Sequence, residues 1–253
     1  MPPRARAIAG VLALAVTATL HAPDTQTPPV GVLVFTRTAG FRHDSIPAAA
    51  KAIGALACKH GSGHGLRVIA TEDAGIFTDA GLSSFDVVVF LSTTGDVLND
   101  EQQTAFKRYI EAGGGYVGVH AAADTEYDWP WYGRLVGAYF QSHPPGIHRA
   151  MVLVSDRVHP STKMLPQQWP RRDEWYNYRA RPASTVRVLA SLDETTYEGG
   201  SMGNDHPIVW CHEFDGGRAW YTGGGHTIES WAEPLFLEHL LGGILWAADR
   251  VHP

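Results

Sequence analysis

Three histidines follow segments that have the pattern of buried β-strands, and the chemistry of the chain can first be argued from them. His43 lies in the stretch Gly-Phe-Arg-His-Asp, His120 follows an apolar run, and His226 follows three glycines. The carboxyl ends of parallel strands meet at one edge of a sheet, where ligands bind in open α/β folds. Imidazole changes its protonation near neutral pH and also binds metals. We therefore predict that these side chains converge on one pocket, as proton-transfer groups or as metal ligands.

His120 has the most informative surroundings of the three. It ends the run 113–119, which is Gly-Gly-Gly-Tyr-Val-Gly-Val, and it is followed by three alanines. A strand that stops at a polar residue between small neighbours is typical of a sharp strand-to-helix turn over the sheet's edge. A polar residue at the end of a buried strand must also be satisfied or functional. We predict His120 as a general base. We predict that His43, His226 and Glu174 supply the electrophile that stabilises negative charge on the substrate, either as metal ligands or as direct hydrogen-bond donors.

Further polar residues lie in predicted loops around the same edge. They are predicted to bind substrate and are Arg42, Asp44, Asp124, His143, Tyr176 and His206. The sequence does not identify a cofactor. A divalent metal held by His43, His120, His226 and Glu174 is an open alternative. The aromatic group Trp129, Trp131 and Tyr132 has two interpretations, a platform for a sugar ring or core packing.

Several common chemistries find no support in the sequence. There is no Gly-x-Ser-x-Gly turn and no cysteine at the predicted elbow, so acyl transfer through serine or cysteine is not indicated. There is no Walker A loop and no His-Glu-x-x-His pair. The glycines 113–115 precede a strand instead of following one, which argues against a dinucleotide-binding turn.

The elements that must position these residues alternate between strands and helices. The predicted strands span 30–35, 66–70, 86–91, 116–119, 150–154, 186–190, 208–211 and 218–222, and the predicted helices span 46–60, 100–112, 129–140 and 231–248. Alternation in the first half predicts right-handed βαβ units and a parallel sheet. The expected fold is α/β and flavodoxin-like. It has a doubly wound, mostly parallel sheet with helices on both faces and a mixed β extension in the C-terminal half.

The N-terminus has the pattern of an export signal. Arg4 and Arg6 precede an apolar run with small residues after it, so residues 1–22 are predicted as a signal peptide and 23–29 as a flexible leader. Residues 30–250 then form one domain, exported to the periplasm or the extracellular space. Loss of both arginines moves the formal charge from −6 to −8, because 1–22 contain no acidic residue. An acidic chain without a basic stripe is not expected to bind nucleic acid, and no membrane span is expected after signal removal.

The two cysteines, Cys58 and Cys211, do not define a disulfide framework. Each is expected to be a small buried side chain, and a bridge between them stays open.

Five stretches in order resemble the ThuA-like (trehalose utilisation) family of the class I glutamine amidotransferase-like superfamily. They are Thr38–Ser45, Gly118–Ala121, Asp173–Tyr176, His206–Trp210 and Gly217–His226, and the final helix through Ala247 matches as well. The resemblance implies a flavodoxin-like sheet. It also implies an amidotransferase-like elbow, at which this chain has His120 in place of the superfamily's cysteine. Thiol-dependent glutamine hydrolysis is therefore not expected.

The resemblance implies a carbohydrate-related role, since the family is associated with trehalose and 3-keto-sugar metabolism. Two hypotheses follow. In the first, histidine-mediated proton transfer isomerises, eliminates or hydrolyses a carbohydrate or 3-keto-sugar. In the second, the chain is a non-catalytic carbohydrate-binding or accessory domain with a degenerate amidotransferase-like site. Fold alone does not choose between them.

Overall fold

The computed structural model describes residues 1, 28–59 and 65–252 of the 253-residue chain. The predicted signal peptide and most of the leader lie outside these residues, Met1 aside, and stay predictions. Every strand and helix described below lies within the predicted domain, which begins at residue 30.

The described residues form a nine-stranded sheet and a separate strand pair. The strands are β1 (Val30–Phe35), β2 (Leu66–Thr71), β3 (Val87–Leu91), β4 (Gly115–Val119), β5 (Phe140–Ser142), β6 (His148–Val154), β7 (Gln168–Asp173), β8 (Asn177–Tyr178), β9 (Arg187–Asp193), β10 (His206–Phe214) and β11 (Gly217–Thr222). The order in the large sheet is β2-β1-β3-β4-β11-β10-β9-β6-β7, and β5 pairs with β8.

The first five strands of that order are parallel, and they confirm the predicted fold class. β1, β3 and β4 are buried along their whole length, because helices cover both faces of the sheet. The helices are α1 (Ile46–Lys59), α2 (Asp79–Leu82), α3 (Asp100–Glu111), α4 (Pro130–Val136) and α5 (Pro234–Ala247). A capping box between Asn99 and Gln102 starts α3.

The remaining strands, β10, β9, β6 and β7, are antiparallel to their neighbours and form the predicted β extension. β7 was not predicted, because its sequence Gln-Trp-Pro-Arg-Arg-Asp is polar and contains Pro170. Proline lacks the N–H that a central strand needs, and it is tolerated here because β7 is an edge strand. The helix predicted over 129–140 is shorter, since it ends at Val136 and Gly137 follows with φ 95°.

The extension curls back over the sheet. Three strands separate β7 from β11 in the strand order, yet Asp173 at the end of β7 accepts hydrogen bonds from the loop that follows β11. The edge strand thereby delivers its carboxyl end to the carboxyl edge of the parallel strands. In the described part of the chain, no helix combines the length and apolar character that crossing a membrane would require.

The structure also bears on the expectations for the cysteines and for the aromatic group of Trp129, Trp131 and Tyr132. Cys211 is buried in β10, as expected, and burial raises the pKa of its thiol to about 12. The side chain of Cys58 lies outside the described structure, so the question of a bridge stays open. Trp131 and Tyr132 are buried, and Trp129 packs against the same core, so these rings are packing residues and not a sugar platform.

Candidate functional site

His120 lies at a sharp turn at the end of β4. Its φ is 50°, in the left-handed region that residues other than glycine rarely adopt, and it opens a short 3₁₀ helix that ends at Asp124. The ring has no exposed surface. Its Nδ1 lies 3.0 Å from the carbonyl oxygen of Gly223 and donates its hydrogen there, which leaves the Nε2 lone pair facing Glu174 and His226.

His226 is held by a glycine loop and a buried carboxylate. β11 ends at Thr222, and Gly225 has φ 108°, which permits the turn that brings His226 back over the sheet. The carboxylate of Asp173 accepts from the backbone N–H groups of Gly225 and His226, at 2.8 and 3.0 Å. The end of β7 therefore fixes the backbone of His226 as well as placing Glu174 next in the chain.

Three atoms of different chain segments meet at the centre of the site. Nε2 of His120 lies 3.2 Å from Nδ1 of His226 and 3.4 Å from Oε2 of Glu174, and Nδ1 of His226 lies 3.1 Å from the same oxygen. The ring of His43 packs edge-on against both other rings, with centroid distances of 4.8 and 5.1 Å. Ligand atoms of all four residues lie within 4.8 Å of one another, so they could share one cation.

Burial and mutual charge set the protonation of these groups. Burial lowers the pKa of His43 to about 3, with the neighbouring histidines adding to the effect, so its ring is neutral at pH 7. Burial alone would raise the pKa of Glu174, but its interactions with the ring nitrogens of His120 and His226 bring this pKa far below its usual value. Burial alone would lower the pKa of His226, but its hydrogen bond and charge interaction with Glu174 outweigh this and raise it. Glu174 is therefore an ionised acceptor at neutral pH.

Three members of the cluster, His43, Glu174 and His226, form one wall of a cavity of about 340 Å³. The residues that line the cavity are Phe41, His43, Asp124, Phe140, His143, Glu174, Tyr176 and His226. Tyr176 packs on the rings of His120 and Phe140, each with a centroid distance of 4.2 Å. Phe41 is 67% exposed at its rim. A cavity of about 400 Å³ lies at the opposite end of β11, around Gly217 and Arg218, and contains none of the predicted site residues.

The structure brings His43, His120, His226 and Glu174 together. Of the other predicted residues, some line the cavity and others do not. Asp124, His143 and Tyr176 line the cavity, and Nδ1 of His143 lies 3.3 Å from Oε1 of Glu174. Arg42 and Asp44 are exposed and do not line it; Arg42 pairs with Glu72 at 2.6 Å. His206 is fully buried behind the wall, where its Nδ1 contacts Glu194 and its Nε2 donates to the carbonyl of Tyr176.

Sequence reasoning missed three residues of the site. Phe41 and Phe140 line the cavity, and Asp173 anchors the loop of His226. A signal for Asp173 existed, because it directly precedes Glu174 and buried aromatic residues, but its strand was not recognised. The fold brings Phe41 and Phe140 to the same cavity, and this leaves no local pattern in the sequence.

Comparisons with known proteins agree with this architecture. The sequence model of the ThuA family, described as trehalose utilisation, matches residues 31–247. A search of curated protein sequences finds no match.

Solved structures show the same fold. A ThuA-like protein of Bacteroides uniformis ATCC 8492 has a TM-score of 0.73 at 25% identity, over 89% of this chain and 94% of that one. A ThuA-like protein of Parabacteroides merdae ATCC 43184 has a TM-score of 0.70 at 24% identity, over 87% and 90%. A β-galactosidase of Bacillus circulans sp. alkalophilus has a TM-score of 0.53 at 14% identity, over 86% of this chain but 31% of that one, which shows the fold alone.

Proposed function

The chain belongs to the ThuA (trehalose utilisation) family, and on that premise we propose that its cavity binds a carbohydrate and catalyses proton transfer on it. The observation that carries the proposal is the composition of the cavity. An ionised carboxylate and several imidazoles form one wall, and aromatic rings form others. Aromatic faces suit the apolar faces of sugar rings, and Asp124 offers an acceptor for hydroxyl groups. The favoured substrate class is a keto-sugar.

A keto-sugar suits this site because its chemistry needs a base and an oxygen stabiliser. The C–H bond beside the carbonyl is acidified, so a base can remove its proton while the electron pair moves onto the carbonyl oxygen. Isomerisation or elimination then follows from the enolate. Imidazole is an efficient base near neutral pH, and fixed positive charge or hydrogen-bond donors stabilise the enolate oxygen.

The exposure of each histidine to the cavity decides whether it can act as the base or as the stabiliser of the oxygen. His120, predicted as the base, has no exposed surface, and both of its ring nitrogens face protein groups, so it does not reach a substrate directly. The side chain of His143 is 36% exposed in the cavity and touches Glu174 from the outer side. We assign the proton transfer to His143 and the stabilisation of the oxygen to the imidazoles of His43 and His226, which line the cavity beside Glu174.

The elbow argues against the amidotransferase reaction. The imidazole of His120 occupies the turn where that superfamily carries a nucleophilic thiol, and Cys211 lies in β10 with a raised thiol pKa. Neither feature supports a thioester intermediate.

Solvent-exchange NMR tests the proposal without knowledge of the final product. A 3-keto-glycoside is incubated with the protein in D₂O, and deuterium uptake at the carbon beside the ketone is followed. The wild type should accelerate uptake, and His143→Ala should slow it by about 100-fold or more, the usual contribution of a general base. His148→Ala is the matched control, because that ring lies outside the cavity and contacts the carbonyl of Pro145.

The same experiment separates the two hypotheses of the sequence analysis. Uptake no faster than in buffer, together with calorimetric binding of the sugar, would favour the carbohydrate-binding domain. Neither uptake nor binding for keto-sugars and their parent disaccharides would refute the carbohydrate assignment.

A further inference from the structure

The three atoms that meet at the centre of the site have the spacing of ligands around one metal ion. A tetrahedral ion with bonds of about 2.0–2.1 Å holds its ligand atoms about 3.3–3.4 Å apart. The His120–Glu174–His226 triad has edges of 3.1, 3.2 and 3.4 Å. Two imidazole nitrogens and one carboxylate oxygen are also the donors of many catalytic zinc and iron sites.

The hydrogen-bond partner of His120 fits the same interpretation. Its Nδ1 hydrogen is committed to the carbonyl of Gly223, which fixes the ring and directs the Nε2 lone pair inward. Metal-binding histidines usually show this pattern, with the second nitrogen donating to a carbonyl or carboxylate.

The fourth side of the triad is open to the cavity. Glu174 and His226 both line the cavity, so an ion bound to them has an entry path and a position for a substrate oxygen. His43 borders this position, and its buried Nδ1 has no hydrogen-bond partner among the described residues. Unpartnered buried nitrogen is costly, and it fits a ring that contacts an ion or a ligand oxygen held there.

We propose that His120 Nε2, His226 Nδ1 and Glu174 Oε2 bind one divalent first-row transition-metal ion, of zinc-like geometry, with an open position toward the cavity. Such an ion would polarise the carbonyl or enolate oxygen of a bound sugar. The inference deepens the proposed function by assigning the group that stabilises this oxygen. The binding itself depends only on the triad, so it is tested apart from turnover.

Metal titration of the untagged full chain is the test. Protein freed of metal with a chelator is titrated with Co²⁺, and visible absorption of four- or five-coordinate cobalt is recorded. Zinc affinity is then measured by competition with an indicator chelator. We expect one equivalent of either ion, and a rise in melting temperature when zinc is added, since ligands that bind the folded state stabilise it.

Variants assign the ligands. Glu174→Gln and His226→Ala should each weaken zinc binding by at least about 100-fold, more than loss of an outer partner causes. His120→Ala removes a buried ring and can fail to fold, so circular dichroism accompanies each variant. His148→Ala is the matched control, because its ring lies outside the cavity, contacts the carbonyl of Pro145 and should leave the zinc affinity unchanged.

Two outcomes would overturn the metal site. The first is absence of stoichiometric binding by folded wild-type protein. The second is wild-type affinity in both Glu174→Gln and His226→Ala. Deuterium uptake by chelator-treated protein at the full rate would refute the metal's part in the reaction while leaving the proposed function intact. Metal binding without deuterium uptake would refute the proposed catalysis while leaving the metal site intact.

Discussion

Asp173 offers the sharpest test of how the site is held together. Its carboxylate is fully buried and accepts from the backbone N–H groups of Glu174, Gly225, His226 and Thr227 and from the hydroxyl of Ser230, at 2.8–3.3 Å. Arg171, which is also buried, lies 3.7 Å away. The change to test is Asp173→Asn, which keeps the shape and replaces one accepting oxygen by a donor.

The expected cost follows from the contacts of each oxygen. If the amide nitrogen takes the place of Oδ2, the N–H of Gly225 loses its acceptor; if it replaces Oδ1, three N–H groups do. One buried unsatisfied group costs about 1–3 kcal/mol. The guanidinium of Arg171 also loses a compensating charge, although Glu233 remains 3.3 Å from it. The free energy of unfolding should therefore fall by about 3 kcal/mol.

Urea unfolding followed by tryptophan fluorescence measures this loss. Asp79→Asn is the matched control, because Asp79 also pairs with an arginine, Arg108, but both side chains are more than half exposed. An exposed pair of this kind contributes at most about 1 kcal/mol. A loss below about 1 kcal/mol for Asp173→Asn, or one no larger than in the control, would refute the anchoring role.

Three further predictions concern other parts of the chain. Burial lowers the pKa of His239 to about 3, whereas this histidine in the unfolded chain is protonated below about pH 6.5. The stability that the neutral ring contributes is therefore present above pH 6.5 and is lost as the pH falls toward 3. Between pH 7 and pH 5, urea unfolding should show the wild type losing about 2 kcal/mol more than His239→Gln, and equal losses would contradict the assignment. Cys211→Ala should keep the rate of deuterium uptake and cost at most a few kcal/mol, since the thiol is buried and protonated; complete loss of activity in folded protein would reinstate thiol chemistry. N-terminal sequencing of protein from an exporting host should begin near Pro23, and an intact Met1 form as the main species would refute export.

The parallel half of the fold was predictable from the sequence because its strands are covered on both faces. β1 and β3 are continuous apolar runs, and such runs leave few alternatives to a buried strand. The meeting of His43, His120 and His226 was predictable for a related reason, since each follows a strand whose carboxyl end the topology brings to one edge.

The parts that were not predictable depend on the antiparallel half. β7 contains Pro170, which is acceptable because the strand lies at the edge of the sheet, and the buried Arg171, which is acceptable because Asp173 and Glu233 compensate its charge. The role of Asp173 follows from how that half curls over the sheet. Local sequence does not encode this curvature, because it results from contacts between segments far apart in the chain.

The curl of the antiparallel extension also has a consequence for the order of folding. Ser45 and Gly225, 180 residues apart, are joined by a hydrogen bond beside the site, whereas the βαβ units of the first half close much shorter loops. Contacts of long sequence separation form late, because the chain entropy of closing them must be overcome first. Helical signal should therefore return early in refolding and competence of the site last. On the ribosome, the cluster of His43, His120, Glu174 and His226 stays incomplete until the residues after β11 have emerged.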